Sequence, residues 1–116
     1  MTPEATLSKW EEYSTAWTAL SSAEREALLR TALAEDVVYT SPVSDGRGIG
    51  GLATVIEDFQ SQFPGAYFQT SQFLEQHNQS LAEWTMRDQA GASLLMGRSY
   101  ARFNDEGLIE HLAGFW

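Results

Sequence analysis

The hydrophobic residues of this chain follow two different periods, one in each half. Over most of the first 63 residues they recur every three or four positions, which is the spacing of one face of a helix. The first such stripe follows the capping pair Thr2-Pro3 and comprises Leu7, Trp10, Tyr13, Trp17 and Leu20. The pattern predicts an amphipathic helix that ends near Leu20.

Two further helices are predicted before residue 65. Ser21 and Glu24 have the spacing of a capping box, and the apolar residues behind them predict a second helix that ends near Glu35. A third helix is predicted from the stripe Ile49, Leu52, Ile56, Phe59 and Phe63. The pair Pro64-Gly65 ends this helix, since neither residue favours its continuation.

The segment between the second and third helices predicts a strand and a loop. Residues 37–41 form a short β-branched and aromatic run that Pro42 stops, which is typical of a strand. Residues 43–48 are polar and rich in Gly, and include Asp45 and Arg47. They predict a loop, and their spacing matches no phosphate-binding motif.

The helical period disappears after Gly65. Residues 67–77, 81–87, 93–103 and 108–116 predict four strands joined by short polar turns. The last turn includes Gly107, where a positive φ is expected. Helices followed by a meander of strands predict an α+β fold, with three N-terminal helices packed on a mostly antiparallel sheet.

Composition limits the classes of function. The 116 residues predict a single domain over residues 1–116, and the chain has no Cys for disulfides or thiolate metal sites. A formal net charge of −9 disfavours nucleic acids and anionic membranes as partners. No apolar run approaches the roughly 20 residues of a membrane span, and no secretory signal is visible. A cytoplasmic location is therefore the default expectation.

Several segments carry a family resemblance. These are residues 36–42 (Asp-Val-Val-Tyr-Thr-Ser-Pro), the closing hairpin at residues 102–116, Phe63-Pro64-Gly65, and Trp17 on the first helix. In this order and spacing they resemble the SnoaL-like group of the nuclear transport factor 2-like superfamily. The resemblance implies a strongly curved sheet that forms a cystatin-like cone, with helices closing one end around a central apolar pocket. It also implies a homodimer.

The resemblance and the strand alternation together assign the two faces of the sheet. Alignment of the last strand with the steroid isomerases of the superfamily places Leu112, Gly114 and Trp116 on the pocket side. Extended from there to the other strands and helices, the expected pocket also includes Trp17, Tyr39, Ser41, Phe59, Phe63, Trp84, Met86, Gly97 and Ser99. Small residues among these are expected to leave volume for a ligand. The outer face is expected to carry Arg98, Tyr100, Arg102, His111 and Phe115. This face mixes aromatic and cationic groups, which favours a homodimer interface.

Catalytic residues of the related enzymes are mostly replaced. The aspartate base of the steroid isomerases corresponds to Ser41, and their protonated aspartic acid corresponds to Ser99. Their helix tyrosine falls near Trp17, with Tyr13 one turn earlier as a partial substitute. Since a serine takes no carbon-bound proton without a partner base, steroid isomerisation is not expected. The candidate catalytic residues are Ser99, Tyr13 and Glu110, a carboxylate that the alternation places on the inner face.

Two functions from different classes remain open after this comparison. The first is a binding module for a small apolar molecule, and the second is a cyclase, isomerase or dehydratase that acts on a hydrophobic or polycyclic substrate. A protein-interaction module is a third possibility. His77 and His111 are the only histidines and have no metal-ligand spacing, so neither a metal nor another cofactor is expected.

Overall fold

The computed structural model describes residues 2–116, which form three helices and six strands. The elements in chain order are α1 (Pro3–Thr15), α2 (Ser22–Ala32), β1 (Leu33–Thr40), β2 (Asp45–Arg47), α3 (Gly48–Gln62), β3 (Tyr67–Gln76), β4 (Gln79–Arg87), β5 (Ser93–Phe103) and β6 (Ile109–Phe115). The α+β class with three N-terminal helices is thereby confirmed. The bounds of the last four strands agree with the predicted ones to within two residues.

The six strands form one curved sheet in the order β2-β1-β6-β5-β4-β3. All neighbours are antiparallel except β1 and β6, which run parallel. The helices cover the concave face, with α1 against β3 and α3 against β1 and β2. The mostly antiparallel sheet was predicted, whereas the parallel pair was not.

Side-chain caps begin the first two helices as the sequence predicts. The Thr2 hydroxyl accepts a hydrogen bond from the Ala5 amide at 3.1 Å, and Pro3 follows at the first helical position. The capping box is complete, because Ser21 Oγ accepts from the Glu24 amide and Glu24 accepts from the Ser21 amide, both at 3.1 Å. Such caps satisfy amides that have no partner within the helix.

Both of these helices end earlier than the sequence predicts. Helix α1 ends at Thr15, and residues 16–20 form turns whose carbonyls accept hydrogen bonds from the Arg25 guanidinium. Helix α2 ends at Ala32, because Leu33 already pairs with Ile109 of β6. Contacts with distant residues, which the local pattern does not contain, therefore set both ends.

Residues 45–47 were predicted as part of a loop and instead form strand β2. It pairs with β1 through Val38 opposite Arg47 and Thr40 opposite Asp45. Gly46 lies so close to the start of α3 that a Cβ atom there would be 3.1 Å from the carbonyl carbon of Gly51. The prediction was wrong because three polar residues carry no strand pattern, and the pairing with β1 supplies it.

The turns between strands use left-handed backbone positions, one of which was predicted, whereas another falls at residue 77, inside a predicted strand. Gly107 has a φ of 81°, which confirms the predicted left-handed position in the closing hairpin. The connection from β3 to β4 has positive φ at both central residues, 44° at His77 and 61° at Asn78. Two such residues match the twist of a two-residue hairpin. His77 is therefore an exposed turn residue.

A continuous hydrophobic core lies between the helices and the concave face. Its fully buried aliphatic side chains come from α2, α3, β1 and β6, and include Leu29, Leu52, Ile56, Ile109 and Leu112. The same core cluster includes aromatic side chains, among them Trp10, Trp17 and Trp84. Within residues 2–116, no helix combines the length and the apolar character needed to cross a membrane.

Candidate functional site

A cavity of about 520 Å³ lies between the helices and the concave face of the sheet. Eight of the predicted pocket residues line it: Trp17, Tyr39, Phe59, Phe63, Trp84, Met86, Ser99 and Trp116. Ten further residues complete the wall: Trp10, Tyr13, Ser14, Val43, Ser44, Val55, Asp58, Gln62, Phe68 and Leu95. The volume falls in the range of small-molecule sites.

Half of the 18 residues of this wall are aromatic, and their rings are in mutual contact. The ring centroids of Trp17 and Phe59 are 5.4 Å apart, and those of Trp17 and Phe68 are 5.6 Å apart. The series of ring contacts continues from Phe68 to Trp84, with centroids 5.0 Å apart, and from Trp84 to Trp116, with centroids 5.8 Å apart. These pairs are edge-to-face, an arrangement that adds to the stabilisation by burial. All four tryptophans of the sequence line the cavity.

Two of the indole N–H groups already have acceptors. Trp84 Nε1 donates to Ser99 Oγ at 3.0 Å, and Trp10 Nε1 donates to Thr70 Oγ1 at 2.9 Å. Because Ser99 acts as an acceptor in this pair, its own O–H can still donate to a molecule in the cavity. Ser99 is thus a hydrogen-bonding group on an otherwise aromatic part of the wall.

The tyrosines of the wall are held in their neutral form. Burial raises the pKa of Tyr13 well above its ordinary value of 10.0, and nearby Tyr39 raises it further. Burial also raises the pKa of Tyr39. A neutral phenol can donate a hydrogen bond but is a poor proton acceptor near neutral pH. Tyr13, one of the candidate catalytic residues, therefore lies in the cavity wall as a hydrogen-bonding group and not as a base.

Four predicted pocket residues do not line the cavity. Leu112 is fully buried in the aliphatic core. The Ser41 hydroxyl lies in the turn after β1, where it accepts hydrogen bonds from the amides of Val43 and Ser44. Ser44 takes the place on the wall that was expected for Ser41.

Gly97 and Gly114, the other two, provide space for tryptophan rings. A Cβ atom at Gly97 would lie 2.6 Å from the Trp84 ring, and one at Gly114 would lie 2.8 Å from the Trp116 ring. The small residues of the concave face were expected to leave volume for a ligand. At these two positions the indoles fill that volume instead.

Glu110 does not lie on the inner face, so its predicted position is wrong. Arg102 pairs with His111, but the next pair is Phe103 with Ile109, which leaves Glu110 as an extra residue in β6. This β-bulge turns the carboxylate outward, where it accepts a hydrogen bond from Arg102 Nε at 2.7 Å. A bulge reverses the alternation that the prediction assumed. Glu110 is therefore no catalytic candidate for the cavity.

Asp58 is one of the ten cavity residues absent from the predicted pocket, and it is the only acidic one within residues 2–116. It belongs to the face of α3 that also carries Val55, Phe59 and Gln62, at the spacing of neighbouring turns. Its carboxylate is exposed, which places it at the mouth. The apolar stripe on α3 predicted which face of the helix points inward. Asp58 directly precedes Phe59 of that stripe, and this position at the edge of the stripe was the signal that could have identified it.

The convex face of the sheet carries a second distinct surface. One cross-strand row on this face consists of Leu74, Leu81, Tyr100 and Ala113. Beside it lie the predicted outer residues Arg98, Arg102, His111 and Phe115. Arg98 pairs with Glu83 at 2.9 Å, and the His111 ring packs edge-on against Tyr100. No group of three or more His, Asp or Glu residues within the described range is arranged to hold a metal ion.

Comparison with known proteins assigns the family. Residues 10–111 match the model of the SnoaL-like domain, which covers most of the chain, and the protein therefore belongs to the SnoaL-like domain family. None of the functionally curated proteins shows significant similarity to it.

Solved structures have the same fold. A protein from Agrobacterium tumefaciens, provisionally assigned as an isomerase of the SnoaL-like family, is 27% identical with a TM-score of 0.90, and the alignment covers 97% of each chain. A provisionally assigned polyketide cyclase from Sinorhizobium meliloti is 11% identical, with a TM-score of 0.74 and 92% and 93% coverage. A protein of cystatin-like fold from Methylobium petroleophilum is 16% identical, with a TM-score of 0.80 and coverage of 99% of this chain and 77% of that one.

Proposed function

We propose that this SnoaL-like domain binds a small apolar molecule in the cavity between its helices and its curved sheet. The observation that carries the proposal is the wall itself, in which nine of the 18 residues are Trp, Tyr or Phe. An aromatic cavity with a few placed polar groups is the usual form of a site for a small hydrophobic ligand. The Ser99 hydroxyl provides one such group and suits a carbonyl or ether oxygen on the ligand.

Binding fits the site better than proton transfer. Ser99 occupies the position of a carboxylic acid in the related isomerases, and burial keeps Tyr13 neutral. Glu110 points to the opposite side of the sheet. Apart from the exposed Asp58 at the mouth, the polar groups named in the wall are hydroxyls, whereas acid–base chemistry needs a carboxylate or an imidazole.

Filling the cavity tests the proposal directly. Tryptophan fluorescence reports binding of the neutral probe N-phenyl-1-naphthylamine, since all four tryptophans line the cavity. Ser99→Trp and Val55→Trp should both abolish the signal change, because the new ring occupies the ligand volume. Ser61→Trp places the same ring on an exposed position of α3 that does not line the cavity, and should bind as the parent does.

The outcomes separate a cavity from a packed interior. Thermal unfolding of each variant shows whether it folds. If Ser99→Trp does not fold, the binding result for Val55→Trp still tests the proposal. A folded cavity variant that binds the probe as tightly as the parent would refute the proposed site. If both cavity variants unfold while Ser61→Trp is stable, the interior has no room for a ligand and the proposal fails.

An enzyme that acts on a hydrophobic or polycyclic substrate is the second candidate function. The exposed carboxylate of Asp58 at the cavity mouth favours it, as does the provisional isomerase assignment of the relative from Agrobacterium tumefaciens. Incubation with polycyclic ketones, followed by chromatography and mass spectrometry, tests for isomerised, cyclised or dehydrated products. Turnover that Asp58→Asn abolishes would establish this function, whereas turnover unaffected by Asp58→Asn would exclude Asp58 as the catalytic group.

We also propose a homodimer through the convex sheet face. Phe115 and Met96 are each 61% exposed there, and the neighbouring Arg98 and Arg102 are already neutralised by glutamates. Apolar side chains beside paired charges suit a self-complementary interface. Light scattering at tens of micromolar should give a dimer mass, and Phe115→Glu should give a monomer. A monomer mass for the parent would refute the proposal.

A cytoplasmic location stays a prediction, which fractionation of the source cells would test.

A further inference from the structure

The charge at the cavity is of one sign. Among the described residues 2–116, Asp58 is the only residue of the cavity wall whose side chain is charged at neutral pH. No Lys or Arg of the described residues contributes to this wall. The whole chain carries a formal net charge of −9, so the field of the protein has the same sign as the local carboxylate.

Asp58 has no partner that would account for its position. Its carboxylate forms no ion pair and no hydrogen bond with any other residue in the described range 2–116. The preceding residue, Glu57, shows the contrast: its carboxylate accepts a hydrogen bond from Ser22 Oγ at 2.6 Å and lies 3.8 Å from Arg25. The Glu57 carboxylate is thus paired within the fold, whereas the Asp58 carboxylate at the cavity mouth is able to interact with a ligand.

The end of α3 adds to the negative potential at this place. Asp58 lies one turn before the helix ends at Gln62, and the last turn contains no basic residue. The terminal carbonyls of a helix carry a partial negative charge, which favours a cation nearby. A cation at the mouth would therefore interact favourably with the helix end as well as with the carboxylate.

Aromatic rings beside Asp58 favour the same kind of ligand. Phe59 on α3 and Phe63 directly after the helix have ring centroids 5.6 Å apart, and Phe63 and Trp116 are both partly exposed. The face of an aromatic ring attracts a cation, and tertiary or quaternary ammonium groups combine this attraction with an apolar surface. The wall and the mouth together match an apolar body with a positively charged group.

From these contacts we infer that the cavity takes apolar cations, with the cationic group of the ligand at Asp58 and its apolar body among the aromatic rings. This inference rests on the proposed function and names the class of ligand for the same cavity. An amine or a quaternary ammonium compound with a flat hydrocarbon body belongs to this class. Apolar anions are rejected by the same carboxylate.

Three naphthalene compounds of one shape test the inference. They are (naphthalen-1-ylmethyl)trimethylammonium, its uncharged isostere 1-(2,2-dimethylpropyl)naphthalene, and the anion naphthalen-1-ylmethanesulfonate. Each is titrated against bound N-phenyl-1-naphthylamine, and displacement gives its affinity. In the parent protein we expect the cation to bind on the order of tenfold more tightly than the anion.

Asp58→Asn should then lower the affinity for the cation by roughly threefold to tenfold. The effect is no larger because Asp58 is exposed and water screens its charge. The same change should leave the affinity for the uncharged isostere within about twofold, a readout that a merely structural role of Asp58 would not produce. Glu57→Gln is the matched control: it removes one negative charge from the adjacent position, and should leave all three affinities nearly unchanged.

The outcomes distinguish this inference from the proposed function. If the uncharged compound binds but Asp58→Asn does not selectively weaken the cation, the inference is overturned and the apolar site stands. Equal losses of affinity for the cation in Asp58→Asn and Glu57→Gln overturn the inference too, since they indicate an effect of net charge alone. If none of the three compounds binds to the parent protein, both the inference and the proposed function fail.

Discussion

Replacing Arg25 with methionine should destabilise the fold far more than its single weak ion pair suggests. Arg25 is only 4% exposed, and its guanidinium donates to three main-chain carbonyls. Its Nε donates to the carbonyl of Ala16 at 3.0 Å, and its Nη2 donates to those of Thr18 at 2.9 Å and Leu20 at 3.2 Å. The three acceptors lie in the turn that follows α1.

The magnitude follows from these hydrogen bonds. A hydrogen bond to a charged group contributes about 1.5–3 kcal/mol, and a buried carbonyl left without a donor costs about 1–3 kcal/mol. The carbonyls of Thr18 and Leu20 share one nitrogen and are only partly buried, so water can replace part of their loss. We therefore expect Arg25→Met to lower the free energy of unfolding by about 3 kcal/mol, and the Tm by ~10 °C.

Urea unfolding followed by tryptophan fluorescence measures this change. Arg30→Met is the matched control, because Arg30 lies on the same helix, is 54% exposed and pairs only with Glu26 and Glu35. It should cost less than about 1 kcal/mol. Glu57→Gln removes the 3.8 Å ion pair of Arg25 and should also cost less than about 1 kcal/mol.

Two results would contradict the reasoning. Equal destabilisation by the two arginine substitutions would mean that the carbonyl contacts contribute little. A Glu57→Gln loss as large as that of Arg25→Met would mean that the ion pair, and not the carbonyls, stabilises this region. Because the turn held by Arg25 carries Trp17, Arg25→Met should also weaken binding of N-phenyl-1-naphthylamine in the cavity.

The remaining predictions concern stability at high pH and the glycine beneath an indole. The fold raises the pKa of Tyr13 above the unfolded value of 10.0, so stability should stay level below pH 10 and fall as the pH rises further, by up to about 1.4 kcal/mol per pH unit. Urea unfolding near pH 9 and pH 11 should show this loss reduced in Tyr13→Phe and retained in Tyr100→Phe, and an unchanged loss in Tyr13→Phe would contradict the assignment. Gly97→Ala should cost about 1–3 kcal/mol, because its Cβ would meet the Trp84 ring at 2.6 Å. Gly50→Ala, whose Cβ would meet nothing within 4 Å, should instead stabilise α3 by up to about 1 kcal/mol, and equal effects of the two substitutions in thermal unfolding would refute the close contact.

The sequence by itself determined the features that local interactions control. The start of α1 and α2 depends on side chains within three residues of the cap, and both starts were predicted. Strands β3 to β6 follow from extended segments that short polar turns separate, and Gly107 marks the last turn. Eight of the cavity residues were also predicted, because a helix stripe and a strand alternation each identify an inward face.

Tertiary structure alone decided the features that depend on distant pairing. The parallel pairing of β1 and β6 ends α2 early, and the polar residues of β2 become a strand only through their partner. The bulge in β6 moves Glu110 to the convex face, since one extra residue reverses every side chain on one side of it. No local pattern contains this information.

The cavity itself shows the same division. Its aromatic residues were visible in the sequence, but whether a small residue leaves space or receives a neighbouring ring depends on three-dimensional packing, as Gly97 and Gly114 show. Asp58 reached the mouth because helix α3 is oriented by its contacts with β1 and β2. All the elements that a helix packs against set its rotation about its own axis. The hydrophobic pattern of the helix alone predicts the inward face, but not which residues at the edges of that face reach the cavity.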